Sequence, residues 1–183
     1  NSRIISEPLR LYHCAPISDG ACAVLVQREK TDIEVAGIGS GTDIMEVRSR
    51  ERLTSFRATR IAAKEAYERA GLNRKYIDVV ELHDAFTSFE LINSEDLGFF
   101  GEGESALAFR KGRTQINGDI PINPSGGLKS RGHPVAASGL AQIIEIYMQL
   151  RGECAQRQVD GAKIGLAHSI GGLGSNNFVT ILK

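Results

Sequence analysis

The chain has 183 residues, a length that fits one domain or a domain with an additional fragment. Its hydrophobic content of 42% and charged content of 24% are typical of globular proteins and exclude a disordered chain. The 22 Lys and Arg residues balance 22 Asp and Glu residues, which argues against binding of nucleic acid or anionic membranes through bulk charge. No apolar run is long enough to span a bilayer, and no signal peptide is recognisable. Cys14, Cys22 and Cys154 lack metal-type spacing, so we expect free thiols and a cytoplasmic location.

The first 32 residues differ in pattern from the rest of the chain. Because the chain starts with Asn1 and not Met, we expect it to be a piece of a longer polypeptide. An apolar run at residues 21–27 predicts a buried strand, and a polar break follows at 29–32. We therefore expect residues 1–30 to be the tail of a preceding unit and residues 31–183 to form a domain.

From residue 33 on, strand patterns and helix patterns alternate. Strands are predicted over 33–38, 77–82, 163–167 and 178–182. Helices are predicted over 50–70, 86–97, 105–111 and 134–150. The Gly-, Pro-, Asn- and Ser-rich residues 112–132 predict a long loop, and such loops are usually functional. This order predicts an α/β fold with a mixed sheet and helices on both faces.

Three histidines stand at strand ends or helix starts, where α/β folds collect their functional groups. His83 follows the predicted strand IDVVEL, His133 precedes the helix at 134–150, and His168 follows KIGLA. Singly, each is best explained as a hydrogen-bonded structural residue, but together they predict one pocket with His133 as the candidate base. A metal site with Asp84 as a fourth ligand is disfavoured, because no two histidines have the i, i+4 spacing of helical ligands.

Two glycine-rich segments and a basic run allow more than one interpretation. GIGSG lacks the G-x-G-x-x-G spacing of a dinucleotide loop, because Thr42 stands at the third glycine position. SIGGLG fits either backbone N–H groups that bind an oxyanion or a tight turn between two strands. Arg48, Arg50 and Arg52 are expected on a solvated surface, with phosphate contact as the weaker alternative.

The motifs HDAF, NPSGGLKSRGHPVAASG and GLAHSIGGLG, in this order, resemble the C-terminal half of a thiolase. The lead-in LRLYHCAPISDGACAVLV resembles the segment that closes the N-terminal half of these enzymes. HDAF in place of the usual NEAF is similar to the sterol-carrier-protein-linked and archaeal-type thiolases. The resemblance implies a three-layer α/β/α half with a five-stranded mixed sheet and a buried helix. It also implies acyl transfer between coenzyme A thioesters, either thiolytic cleavage of a 3-oxoacyl-CoA or Claisen condensation.

The resemblance assigns roles to particular residues. His133 matches the histidine that activates a nucleophilic cysteine contributed by the N-terminal half. His83 replaces the asparagine that holds an ordered water in the oxyanion hole, and the N–H of Gly171 matches the one that faces the acyl oxygen. Ser169 and His168 complete the catalytic candidates. Substrate contacts are expected at Ala15, Phe86, Gly126, Gly127 and Pro134.

Two positions depart from the family pattern. Ser169 stands where many thiolases have an acid–base cysteine, and Ala85 stands where relatives have the cysteine of HDCF. A serine hydroxyl is far too weak an acid to replace a thiol. His83 or His168 would then move the proton, or the protein would be a thiolase-fold retro-aldolase or a non-catalytic acyl-CoA-binding subunit. A relation to ketoacyl or hydroxymethylglutaryl-CoA synthases fits the motifs less well.

The resemblance also implies ligands and partners. Coenzyme A is expected as a substrate, with no tightly bound cofactor and no metal. A homo-oligomer is expected, and archaeal-type relatives commonly associate with a small zinc-ribbon and OB-fold protein. We expect no nucleic-acid or membrane partner.

Overall fold

A central mixed sheet organises the fold in the computed structural model, which describes residues 2–183. Its strands are β3 (Val35–Thr42), β4 (Val79–Glu81), β5 (Gly165–Gly171) and β6 (Asn176–Leu182). They lie in the order β3-β6-β5-β4, antiparallel except for the parallel pair β5 and β4. A separate two-stranded sheet of β1 (Ile4–Ser6) and β2 (Leu9–Arg10) precedes it.

Helices cover both faces of the central sheet. They are α1 (Arg57–Ala70), α2 (Thr87–Asp96), α3 (Ser105–Arg110), α4 (Gly127–Arg131) and α5 (Ser138–Arg151). On one face, Ala62 of α1 packs with Leu166 and Ile181 of the sheet. On the other face, Ile146 of α5 packs with Ala167 and Leu182. Successive strand residues point to opposite faces, so each of these strands contributes to both cores. The mixed α/β arrangement with helices on both faces is as predicted.

The central sheet has four strands, so the expectation of five is wrong for the described residues. The segment at residues 121–123 runs along the open side of β4. There, Val80 N–H donates to the carbonyl of Pro121 at 3.0 Å, and Asn123 N–H donates to the carbonyl of Val80 at 2.8 Å. Only one bridge forms, between Val80 and Ile122, because a turn begins directly after Asn123. The fifth position at this edge is therefore a single bridge.

The glycines of GIGSG lie within β3 and allow α1 to pack directly on the sheet. The chain's predicted strand at 33–38 extends to Thr42, so these glycines are strand residues. A Cβ atom at Gly37, Gly39 or Gly41 would collide with backbone carbonyl groups of α1. These glycines are explained by close backbone packing, which agrees with the rejection of a dinucleotide loop.

α1 begins at Arg57, seven residues later than predicted, because a contact distant in sequence defines its start. The carboxylate of Asp96 accepts hydrogen bonds from Phe56 N–H at 2.6 Å and from Ser55 Oγ at 2.7 Å. It thereby binds backbone and side-chain donors that precede the first helical turn. The sequence pattern of residues 50–56 carries no sign of this partner.

Residues 21–27 do not form the predicted buried strand. No strand is assigned to them, and Leu25 is 90% exposed and Val26 75% exposed. An apolar run becomes buried only where another element covers it, and none of the described elements lies over this run. Among residues 2–183 we find no helix that is both long and apolar enough to cross a membrane.

Candidate functional site

His83 and His133 form a pair beside the end of β4. Their ring centroids lie 5.0 Å apart, and the two ring planes meet at 83°. His83 lies two residues after the end of β4 and is 4% exposed, whereas His133 is half-buried. Two of the three predicted histidines therefore come together, and one of them remains accessible to a ligand.

The imidazole of His133 is oriented by Ser138 in the first turn of α5. His133 Nδ1 lies 2.7 Å from Ser138 Oγ, and that hydroxyl donates its proton to the carbonyl of Pro134 at 3.1 Å. A hydroxyl has one proton, so Ser138 then accepts from His133, whose Nδ1 carries the hydrogen. The neutral ring consequently presents Nε2 as a proton acceptor, as a general base requires.

Burial keeps both histidines neutral. It lowers the pKa of His83 to about 3, with smaller contributions from His133 and the guanidinium of Arg131. It also lowers the pKa of His133, against an opposing contribution from the negative charge of Asp84. α5 begins at Ser138, so His133 lies outside its first turn, and burial is the larger cause of this shift in pKa. The Nδ1 atom of His83 is buried without a hydrogen bond to the described residues.

His168 lies in a buried polar cluster around Thr59. It is 0% exposed, and its Nε2 lies 3.1 Å from Thr59 Oγ1. Thr59 also contacts the amides of Asn93 and Asn177, which are equally buried. Burial lowers the pKa of His168 to about 3. This enclosure favours a structural role for His168 over proton transfer to a ligand.

Ser169 and Gly171 lie on β5, which extends beyond the predicted 163–167. Side chains alternate along this strand, so Ser169 points to the α5 face, opposite to His168. Ser169 is half-buried beside Gly139, where an added Cβ would lie 2.6 Å from Ser169 Oγ. Gly171 ends β5 opposite Asn176, and the turn that follows is the one predicted as an alternative for SIGGLG.

The predicted loop 112–132 contains α4, and buried carboxylates hold it in place. Glu81 accepts from Ser125 Oγ at 2.7 Å and from Ser125 N–H at 3.1 Å. Asn123, with φ of 52°, accepts from Leu82 N–H at 2.8 Å and donates to Glu90 at 2.9 Å. Burial raises the pKa of Glu81 and of Glu90 to about 7. Sequence analysis missed both glutamates, since an acidic residue in a strand or helix gives no sign of its partner.

The lead-in segment crosses the histidine pair and brings the predicted substrate-binding residues around it. Ala15 N–H donates to the carbonyl of Ala85 at 2.8 Å, and His133 N–H donates to the carbonyl of Pro16 at 2.8 Å. Cys14 also forms a bridge with Phe86. These predicted residues are placed as follows: Ala15 in this segment, Phe86 before α2, Gly126 and Gly127 at the start of α4, and Pro134 after His133.

Arg50 binds backbone carbonyls and does not simply project into solvent. Its guanidinium donates to Ile44 at 3.0 Å and to Leu173 at 2.6 Å, which ties the loop before α1 to the β5–β6 turn. Arg50 also lines a surface groove of about 620 Å³ with Arg57 and Arg60. The histidine pair does not line this groove. Among residues 2–183, no three or more His, Cys, Asp and Glu side chains are arranged to hold a metal ion.

The chain is a mixed α/β protein with a histidine pair near a glycine-rich loop. Comparison with known proteins identifies its family. The profile of the family described as "Thiolase C-terminal domain-like" matches residues 39–183. The chain therefore belongs to the thiolase C-terminal domain-like family. The resemblance stated from the motifs is confirmed.

Two curated relatives and one solved structure extend this finding. Acetyl-CoA acetyltransferase of Methanothermobacter thermautotrophicus is 47% identical, over 99% of this chain and 49% of the relative. Human sterol carrier protein 2 is 39% identical, over 100% of this chain and 35% of the relative. A solved structure named "Ltp2-ChsH2(DUF35) aldolase" superposes with a TM-score of 0.83 at 23% identity, over 98% of this chain and 49% of that chain. The chain thus spans about half the length, or less, of these proteins, and the solved structure supports the fold alone.

Proposed function

We propose that this chain is the C-terminal half of a thiolase-type acyltransferase that acts on 3-oxoacyl-CoA and acetyl-CoA. The observation that carries the proposal is the histidine pair, in which Ser138 fixes the Nδ1–H form of His133 and leaves Nε2 as the base. The acetyl-CoA acetyltransferase name of the 47% identical relative supports the same activity. Coenzyme A enters as a substrate, and no tightly bound cofactor is required.

In the proposed reaction, His133 Nε2 removes the proton from a cysteine thiol of the remainder of the complete protein. The thiolate attacks the keto carbon of the 3-oxoacyl-CoA, the carbon–carbon bond breaks, and an acyl-enzyme remains. The departing enolate takes a proton and leaves as an acyl-CoA. The thiol of free coenzyme A then attacks the acyl-enzyme as a thiolate, releasing the shortened acyl-CoA and restoring the cysteine. His83, neutral because it is buried, holds the ordered water that donates a hydrogen bond toward the thioester oxygen.

The proton that the enolate receives needs a donor, and Ser169 is a poor one. Its hydroxyl lies beside Gly139, where the family's usual thiol would stand. We propose that His133, which has taken the proton of the cysteine, donates this proton to the enolate. The enclosure of His168 argues against it as the donor.

The experiment measures thiolysis of acetoacetyl-CoA by the complete protein that contains this chain. The decrease in absorbance of the substrate enolate gives the rate. His133→Ala should lower kcat about 10³-fold, because general base catalysis contributes roughly 10²–10⁴-fold. His13→Ala is the matched control, since His13 lies in the lead-in and contacts Arg10. Wild-type thiolysis that survives in His133→Ala would overturn the proposal.

The serine at position 169 also supports a second candidate, a retro-aldolase. Such an enzyme cleaves a 3-hydroxyacyl-CoA to a carbonyl compound and an acyl-CoA, and one base removes the hydroxyl proton that the enolate later receives. It consumes no free coenzyme A. Product analysis with and without added coenzyme A therefore separates the two reactions. Binding of coenzyme A in calorimetry, without either reaction, would favour a third candidate, a non-catalytic acyl-CoA-binding subunit.

We further propose that the complete protein is a homo-oligomer and that it binds a small zinc-ribbon and OB-fold protein. The name of the superposed structure includes a DUF35 component, which supports such a partner. Residues 1–30 would form the tail of the N-terminal half, and residues 31–183 the C-terminal domain. The exposed Leu25 and Val26 support this division, because that half would cover them. Sedimentation of the complete protein, alone and with the candidate partner, measures the assembly.

A further inference from the structure

The side chain of Asp84 contacts the start of α4 through both of its oxygens. Its Oδ1 accepts from Leu128 N–H at 2.7 Å, and its Oδ2 accepts from Lys129 N–H at 3.3 Å. Asp84 is 4% exposed, so these bonds form out of water. A charged acceptor on backbone N–H groups gives strong hydrogen bonds, and such N–H groups have no partner within the helix itself.

Gly127 makes this approach possible. Its φ of +66° is a conformation that favours glycine, and an added Cβ would collide with the Asp84 carboxylate. The second glycine of NPSGG is therefore explained by the carboxylate that lies against it. The expectation that Gly126 and Gly127 contact a substrate stays a prediction.

Asp84 connects the segments of the chain that carry the two members of the histidine pair. Asp84 directly follows His83 in the chain. α4 ends at Arg131, and the N–H of Gly132 donates to the carbonyl of Leu128 in this helix at 3.0 Å. His133 is the next residue in the chain. A shift of α4 would therefore move His133 relative to His83.

We propose that Asp84 is a positioning residue that holds α4 and thereby places His133 against His83. This inference rests on the proposed function only in so far as the histidine pair performs the reaction. The alternative of Asp84 as a metal ligand is disfavoured, because both carboxylate oxygens bind backbone N–H groups. The role could not be predicted from HDAF alone, since α4 lies more than 40 residues further along the chain.

The charges around His133 give the proposal an observable beyond stability. Asp84 raises the pKa of His133, while burial and the Arg131 guanidinium lower it, and neutral His83 faces it from the other side. Replacing Asp84 with the isosteric asparagine removes a negative charge. The pKa of His133 should then fall further, and the acidic limb of the pH–rate profile should move to lower pH.

The test compares Asp84→Ala, Asp84→Asn and the control Asp96→Asn in the complete protein. Asp96 is a matched control because it is a half-buried aspartate that binds Phe56 N–H before another helix. We expect Asp84→Ala to lower kcat about 100-fold with KM nearly unchanged, since misplacement by about 1 Å costs on that order. Asp84→Asn, which keeps one acceptor, should lower kcat about 10-fold. Asp96→Asn should lower the melting temperature but leave kcat within about twofold.

A second readout does not depend on activity. Histidine labelled with ¹⁵N reports the titration of His133, and its signal is assigned by its loss in His133→Gln. A lower titration midpoint of His133 in Asp84→Asn, together with an unchanged midpoint in Asp96→Asn, supports the inference. This result would support it even if the wild type shows no thiolysis, because the absence of thiolysis would contradict only the proposed function. Equal effects of the Asp84 and Asp96 variants on kcat, or an unmoved His133 midpoint in folded Asp84→Asn, would overturn it.

Discussion

His133 and His168 are both followed by glycine-containing segments, yet their surroundings differ. His133 is half-buried, hydrogen-bonded through one nitrogen to Ser138, and held by a loop that buried carboxylates secure. His168 is fully buried on a strand, and its one hydrogen bond in the described residues joins a polar cluster around Thr59. A candidate base is therefore distinguished from a structural histidine by an accessible ring with a nitrogen that is free to accept a proton. The neighbouring residues in the sequence do not distinguish the two histidines.

The largest expected effect is a difference in stability between the two histidine variants. His168→Ala should lower the free energy of unfolding by about 3 kcal/mol, because it leaves a cavity and removes one hydrogen bond from the buried polar cluster around Thr59. His133→Ala should lower it by no more than about 1 kcal/mol, because the site is half-exposed. Urea unfolding of both variants measures this. A smaller loss in His168→Ala than in His133→Ala would contradict the division of roles.

A smaller effect is expected from Gly127→Ala in the loop that carries His133. The substitution combines a left-handed backbone with the Asp84 collision, so the loss of stability should be about 2 kcal/mol. Gly152→Ala is the matched control, since Gly152 has φ of +75° and open space around its Cβ position. It should cost about 1 kcal/mol. Equal losses by thermal unfolding would show that the Asp84 contact yields easily.

The smallest expected effect is the change in stability over one pH unit. The pKa of His168 is about 3 in the fold and 6.5 in its ordinary state, so the unfolded chain binds a proton between these values that the folded chain does not. Stability from this group therefore falls as pH falls from 6.5 toward 3, by about 1.4 kcal/mol per pH unit. Buried Glu81 and half-buried Glu90 act in the opposite direction, since their pKa values are raised to about 7 and they favour the fold when protonated.

A difference measurement separates the histidine from the glutamates. The stability of wild type minus that of His168→Gln cancels the contribution of the glutamates and should decline with falling pH through this range. The same difference for His133→Gln should decline less, because His133 is half-buried. Identical pH slopes for the two differences would remove the contrast between the regions.

Much of the fold could be predicted from local pattern. The helix α1 and the strands β4 and β6 follow from apolar periodicity, because each buries its own apolar face. The predicted 21–27 strand failed because its apolar residues have no covering element in the described chain. The prediction of a fifth strand was wrong because residues 121–123 form only one bridge with β4.

The candidate site was predictable in its histidines and not in the residues that hold them. His83 follows a predicted strand and His133 precedes a predicted helix, which are positions where sequence pattern predicts function. Glu81, Glu90 and Asp84 gave no comparable signal, because a carboxylate in an apolar segment can be solvated, paired or bound to backbone. Their partners lie more than 30 residues away in the chain.

The sequence by itself determined the alternation of strands and helices, the histidines and the family to which the chain belongs. Those features depend on residue type and local spacing, which the sequence states directly. Only the tertiary structure decided which histidine is accessible, which ring nitrogen of His133 is free, and which carboxylate lies against Gly127. Burial and hydrogen bonding between distant segments set pKa values and orientation, and they exist only once the sheet and its two helical layers have assembled.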